Sequence, residues 1–172
     1  KLIADHGYKD GCIYGHSIEG NFNFIINQNF SDDAEVKRFE GLIDAVVDLV
    51  VDKYDASLKG EHGTGRNIAP FVRREWGDQA YAVMKEVKDL FDPRNLLNTG
   101  VIFNDDPKCH IKHLKHLTKT NDHVDKCIEC GFCEVNCLTC GFTLSARQRT
   151  VIQREITRLR GTGEDPERLR EL

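Results

Sequence analysis

The chain has 172 residues, of which 40% are apolar and 30% charged, with a formal net charge of −4. That length admits one domain with a true core, with or without a small appendage, and the composition is that of a soluble protein. The mild negative charge gives no electrostatic basis for a nucleic-acid partner. The longest apolar stretch, Ile43 to Val51, is broken by Asp44 and Asp48 and is too short to span a bilayer.

In chain order, Cys12 to Ile18 and Phe22 to Asn27 read as two short strands joined at the turn-forming cluster Glu19-Gly20-Asn21. A helix follows from about Asp33 to Tyr54. Its Val36, Phe39, Ile43, Val46, Val47 and Val50 recur at helical spacing, and Asp32 with Glu35 makes a capping box at its start. Ala56 to Lys59 reads as a strand. Next comes the glycine-punctuated loop Gly60-Glu61-His62-Gly63-Thr64-Gly65-Arg66. A second helix is predicted from Asp78 to Phe91, with Tyr81, Met84, Val87, Leu90 and Phe91 on its apolar face, stopping at Asp92-Pro93. Asn98-Thr99-Gly100 turns the chain into Val101-Ile102-Phe103. Residues 104–122 are polar, rich in His and Lys, and read as a linker. A third helix, Ser145 to Arg160, opens on a Ser145/Gln148 capping box, carries Val151, Ile152, Ile156 and Leu159, and ends at Gly161-Thr162-Gly163. Asp165-Pro166 begins a further short helix. Strands and helices without a βαβ rhythm predict an α+β fold.

Four of the seven cysteines form one run, Cys127-x2-Cys130-x2-Cys133-x3-Cys137. That spacing is the one with which bacterial-type ferredoxin segments hold iron–sulfur clusters, the fourth cysteine usually serving a neighbouring cluster. No second run follows. Cys140 leaves open a zinc knuckle built on Cys127, Cys130, Cys137 and Cys140, although the gap between the pairs is short and Cys133 would be left over. Cys12 is expected in the core and Cys109 as a buried or spare thiol. His110, His113 and His116 recur every third residue beside lysines and read as a solvated helix face. Clustered cysteines without a signal peptide point to metal binding in a reducing cytosol. The first residue is not methionine and stands just before a strand, so the chain is expected to be a piece of something longer.

The Gly60–Arg66 loop packs an acid, an imidazole and a guanidinium among three glycines. It reads either as a solvated surface turn or as the lining of a site that a backbone can approach closely. It is not a phosphate loop, because the order of Gly, Lys and Ser/Thr is wrong. His16 alone reads as a packed or hydrogen-bonded side chain unless a second group stands nearby.

Taken together, Gly15-His16 through Asn23, the Gly60–Arg66 loop, Ala69-Pro-Phe-Val-Arg-Arg74, Leu90 through Gly100 and the cysteine run resemble the FAD-linked oxidases. The likeness is to the glycolate oxidase, D-lactate and D-2-hydroxyglutarate dehydrogenase group, in its large form with an appended iron–sulfur region. The resemblance implies that residues 1–103 are the latter part of the substrate or cap domain, an antiparallel sheet with packed helices. Residues 104–122 would then be a linker, and residues 123–172 a truncated, mainly helical 4Fe-4S ferredoxin-type segment. It implies FAD bound mainly by an absent N-terminal domain, with Glu61, His62, Gly63 and Asn98 at the cofactor. His62 would move the proton, and Arg66 would pair with the substrate carboxylate through two hydrogen bonds. His16, Glu61 and Asn23 would hold a divalent metal, Zn or Mn, and Cys127, Cys130, Cys133 and Cys137 the cluster. Implied partners are a small 2-hydroxy acid and an electron acceptor, either a quinone or a carrier protein. The implied location is cytoplasmic, free or peripheral at the inner face of a membrane.

This sequence departs from the family pattern at Glu19, where Asp is usual, at Asn23, where a second His belongs, and at Leu138, where Pro usually follows. Asn binds zinc more weakly than imidazole does, which favours a harder, oxygen-preferring ion. The rival reading is a non-catalytic electron-transfer or scaffold module with a cluster- or zinc-binding tail. It predicts His16 remote from Glu61 and His62, with no cleft between them.

Overall fold

The computed structural model describes every residue except Ser31, His116 and Leu172, and the backbone alone at Pro166 and Leu169. It divides into two compact units, Lys1–Leu114 and Lys115–Leu172.

In the first unit a short helix, α1 (Leu2–Asp5), precedes an antiparallel hairpin of β1 (Cys12–His16) and β2 (Asn21–Ile25). The register pairs Cys12 with Ile25, Tyr14 with Asn23 and His16 with Asn21. Ser17–Glu19 form a 3-10 turn closed by Gly20 in the left-handed conformation. At Gly15 the two strands approach so closely that a Cβ would stand 2.2 Å from the Asn21 carbonyl oxygen, so only glycine fits. The predicted strands are thus present but shorter, and Cys12 is exposed rather than core.

The first long predicted helix forms as α2 (Asp33–Val47) and continues as π-helical turns over Asp48–Lys53. Asp32 caps it by accepting the Glu35 backbone N–H at 2.9 Å. Its apolar side supplies the fully buried Leu42 and Val47, which with Tyr8, Ile43, Ile68, Ala69, Val72 and Cys109 make the core of this unit. Ala56–Lys59 is not a strand. Instead the Glu75 carboxylate accepts from the Ser57 hydroxyl at 2.6 Å and the Leu58 backbone N–H at 3.3 Å, which occupies that backbone locally.

The next helix, α3 (Val72–Phe91), starts earlier than the sequence suggests, because Ala69–Phe71 make a 3-10 lead-in and the chain passes through a kink at Gly77. Arg74 ties this helix to the π-helical turns after α2, through Asp48 at 2.7 Å and Asp52. The predicted apolar face is only half covered. Tyr81 packs edge-on against Phe103 at 5.3 Å, whereas Val87, Leu90 and Phe91 are exposed. Asp92 stops the helix by accepting the N–H groups of Leu96 and Leu97, both at 2.8 Å, and the Lys88 ammonium at 2.5 Å. These three donors hold its carboxyl down at about 2.

The histidine-rich stretch is not a solvated helix face. His110 is buried in a single 3-10 turn against the Phe71 ring, and burial pushes its imidazole below the ordinary value. His113 has a positive φ of 54° that breaks any helix there, and His116 lies outside the described residues.

The second unit carries the cysteine run on turns, followed by α4 (Ala146–Thr162) and α5 (Pro166–Glu171). The capping box at Ser145 and Gln148 is complete: Ser145 Oγ accepts at 3.2 Å and Gln148 Oε1 accepts at 2.8 Å. Among its described residues Leu159, Ser145 and Arg154 are buried as whole residues, and the Glu129 side chain is buried with them. Such a small, largely polar interior supplies little hydrophobic stabilisation. Among the described residues no helix is long and apolar enough to cross a membrane.

Candidate functional site

The hairpin and the Gly60 loop bring chemistry together in the first unit. His16 ends β1 and stands opposite Asn21 in the register, so both side chains project from one face. The Asn21 amide donates to Glu61 Oε1 at 3.0 Å. The same carboxylate oxygen lies 3.7 Å from His16 Nε2 and 3.8 Å from His62 Nε2. Glu61 therefore stands between two imidazoles that come from distant stretches of chain. All three side chains remain 44% to 66% exposed, as the rim of a site would be.

Behind the rim lies a cavity of about 260 Å³. Asn21, Asn23, Lys59, Glu61 and His62 line its polar side, and Phe39, Ile43 and Val46 of α2 form its apolar floor. A polar rim over an apolar floor is the usual make-up of a small-molecule site. Glu75, anchored on α3, fixes Ser57 and Leu58 just before the loop and so sets where Glu61 and His62 emerge.

The remaining predicted residues divide. Gly63 sits in the loop with φ of 70° and open space where a Cβ would stand. The backbone there is open to close approach. Asn98, with φ of 44°, lines a separate depression with Lys88, Leu97 and Phe103. Arg66 is exposed and absent from the cavity wall; its charge acts on Asp106. Asp106 is held low first by the hydrogen bond from Lys112, then by the Lys108 backbone N–H. Sequence reasoning missed Asn21 and Glu75. The hairpin register, once the turn is placed, does put Asn21 opposite His16. No local signal in the sequence points to Glu75.

Among the described residues no group of three or more His, Cys, Asp or Glu side chains is arranged to hold a metal ion. His16 and His62 both approach the one Glu61 oxygen, yet the three side chains do not form a group that could hold a metal ion. A divalent metal does not fit that donor set as it stands.

The cysteine run is different in donor chemistry. Cys137 Sγ lies 3.3 Å from Thr139 Oγ1, and the backbone N–H groups of Thr139, Ala146 and Cys140 also favour its thiolate. Together they bring this thiol down to about 7. The Glu129 backbone N–H donates to Cys127 Sγ at 3.4 Å. Hydrogen bonds to sulfur are what a cluster-bound thiolate uses, and a unit with so little apolar interior is one that a metal centre can complete. The donor type is that of a cluster, but among the described residues the thiols are not grouped to hold a metal ion. All seven cysteines are free thiols.

The chain matches the family described as FAD linked oxidases, C-terminal domain, over residues 1–102. It is 29% identical over 97 residues to the glycolate oxidase subunit GlcD of Bacillus subtilis, covering 56% of this chain and 20% of that protein. It is 32% identical over 98 residues to the mitochondrial D-lactate dehydrogenase (cytochrome) of Kluyveromyces lactis, covering 57% of this chain and 16% of that one. The D-2-hydroxyglutarate dehydrogenase of Haemophilus influenzae is 32% identical over 106 residues, 59% of this chain and 10% of its own length. The match thus spans a fifth or less of each of these relatives. No solved structure matches.

Proposed function

The chain belongs to the FAD-linked oxidases, through the C-terminal domain of that family, and from that premise we propose that the full-length protein oxidises a small D-2-hydroxy acid. The relatives named above carry glycolate, D-lactate and D-2-hydroxyglutarate in their names, and those compounds share an α-hydroxy carboxylate. The observation that carries the reading is the approach of His16 and His62 to one Glu61 oxygen at the mouth of a cavity. The rival scaffold reading requires those groups to be apart.

The chemistry that a bound FAD would supply is that of an acceptor for the hydride of the substrate α-carbon. His62, at the rim, takes the hydroxyl proton as general base, and Glu61 orients its imidazole. Asn21 holds Glu61 by donating to the oxygen that faces both imidazoles. The apolar floor from α2 keeps water from beneath the substrate. Arg66 is off the cavity wall, so the cation we assign to the substrate carboxylate is Lys59, which is on it. No step runs through a divalent metal here.

Downstream, Cys127, Cys130, Cys133 and Cys137 are proposed as ligands of a 4Fe-4S cluster that passes electrons to a quinone or a carrier protein. Seven free thiols suit a reducing, cytoplasmic location.

The test is anaerobic flavin reduction by a panel of 2-hydroxy acids in the full-length protein and its His62→Ala variant. Loss of about 10²–10⁴-fold in the reduction rate is expected for removal of a general base. A variant reduced as fast as the parent refutes the role of His62. A colourless, zinc-loaded tail after anaerobic preparation refutes the cluster.

A further inference from the structure

The Gly60–Arg66 loop is held at both ends. Glu75 fixes its approach at Ser57 and Leu58. At the far end the Gly65 carbonyl accepts the N–H groups of Ile68 at 3.3 Å and Ala69 at 3.2 Å, and the Arg66 carbonyl accepts the Cys109 thiol at 3.5 Å. Ile68, Ala69, Cys109 and His110 are all buried, between 2% and 7% exposed. A single 3-10 turn, Cys109–Ile111, thus packs against the stretch by which the loop leaves the site. His110 is the middle residue of that turn, and its ring centre lies 5.2 Å from that of Phe71.

Among the described residues, neither ring nitrogen of His110 has a hydrogen-bond partner. The charged groups around it are Glu40 and Asp44 of α2 and Asp106 and Lys108 of its own segment, while the Ala69–Phe71 turn carries no titratable side chain. Glu40 is paired with Lys108 at 2.9 Å, and Asp106 with Lys112 at 2.7 Å and the Lys108 backbone N–H at 3.0 Å. A neutral imidazole can occupy this place, but an imidazolium there would be a buried charge with two unpaired donors. Burial accordingly lowers the group from its ordinary 6.5, and the three carboxylates do not make up the loss. A proton is therefore accommodated only when the turn opens to water. The open form takes it up near 6.5 and the closed form lower, so each pH unit between those values favours opening by up to about ten-fold.

Resting on the role given to His62 above, we propose that His110 is a positioning residue for the Gly60–Arg66 loop: as the neutral ring it seats the Cys109–Ile111 turn that holds the loop's far end, and on taking a proton it unseats that turn and frees Arg66 and the residues before it. The imidazole touches none of the residues at the cavity mouth. It acts through Cys109 and the buried Ile68 and Ala69, so Glu61 and His62 keep their places only while His110 is uncharged.

Amide hydrogen exchange, corrected for its intrinsic dependence on pH, tests this without flavin or substrate. From pH 8 to pH 5 the protection of Ile68, Ala69 and Ile111 in the parent is expected to fall about ten-fold or more, while the amides of α2 keep theirs. In His110→Phe, which keeps a ring against Phe71 and takes no proton, that fall is expected to vanish. If this variant does not fold, His110→Gln, equally unable to take a proton, replaces it. Three results would overturn the inference: parent protection that does not change with pH, an equal fall in the non-titrating variant, or a fall shared by α2, which is general acid unfolding. In the full-length protein the rate of anaerobic flavin reduction by a 2-hydroxy acid is compared between pH 5.5 and pH 8. The ratio of the two rates should be several-fold higher in the variant than in the parent; His62 titrates in both, so its own effect cancels. An unchanged ratio refutes the coupling of the turn to the site. A parent that is reduced by no 2-hydroxy acid refutes the proposed oxidation, and the exchange result then decides by itself whether His110 seats the loop.

Discussion

Gly60 and Gly63 stand three residues apart in one loop, yet they are glycine for different reasons, and substitution by alanine separates them. At Gly60 the backbone is unstrained, but a Cβ would lie 2.7 Å from Asn21 Oδ1 and 3.3 Å from Asn21 Nδ2. Ordinary contact begins at 3.4 Å, so the Asn21 amide has to retreat by about 0.7 Å. Its bond to Glu61, now 3.0 Å, would stretch to about 3.7 Å and cease to be a hydrogen bond. An exposed bond of this kind is worth about 0.5–1.5 kcal/mol, and Gly60→Ala is expected to lose that amount in urea denaturation. At Gly63 a Cβ meets nothing, but φ of 70° disfavours any residue with a side chain, by about 1–2 kcal/mol. The two substitutions thus have similar totals, and a double-mutant cycle tells them apart. In an Asn21→Ala background, Gly60→Ala should become nearly neutral, because neither clash nor bond remains, while Gly63→Ala should keep its full effect. If Gly60→Ala is as damaging with Asn21 removed as with it present, the contact between them is not what the loop depends on.

Three further outcomes can be checked by denaturation. Asp92 is held at about 2 against an ordinary 3.8, so as pH falls the unfolded chain takes the proton first. Its stabilising contribution is complete above about pH 5, shrinks below that and is gone only by about pH 1. The parent's urea midpoint should fall across that interval more steeply than that of Asp92→Asn. His110 is buried with both ring nitrogens unpartnered and its pKa lies below 6.5; Asp44, Glu40, Lys108 and Asp106 are the charged groups around it. Stability tied to His110 is therefore full above pH 6.5 and lost as pH falls through and below that value. His110→Phe, which sacrifices no hydrogen bond, should match the parent at pH 8 and flatten the slope between pH 6.5 and 5. Leu42 is completely buried, and Leu42→Ala should lower stability by about 2–5 kcal/mol in the same assay.

What the sequence discloses here follows the range over which each signal acts. The hairpin, α2 and the capping box of α4 are local matters of periodicity and capping, and they are where the residues say they are. Helix α3 starts early because Ala69–Phe71 and the Gly77 kink carry it backward, which its apolar spacing does not register. Ala56–Lys59 reads as a strand from its place in the sequence, but its Ser57 hydroxyl and Leu58 N–H are bound by Glu75, a partner 18 and 17 residues away. His16, Glu61 and His62 could be singled out by residue type and resemblance, but their approach depends on a loop folding back over a hairpin. Arg66 stands in the same loop as His62 and is still absent from the cavity wall, since neighbours in a loop need not share a face. Arg154 is hidden most completely, because a mid-helix arginine reads as solvated until the cysteine turns close over it.

The close approach at Gly15 has a consequence for how the hairpin is aligned. Every residue of β1 is exposed, so no buried face selects the pairing, and strands of this kind are prone to slip. A slip of one position would turn His16 away from Asn21 and bring a side chain against the Asn21 carbonyl, where 2.2 Å of room admits none. Gly15 acts as a key cut for one alignment. A molecule whose strands pair wrongly is thereby barred from assembling a distorted version of the Glu61 cluster: it has the cluster in order or lacks it.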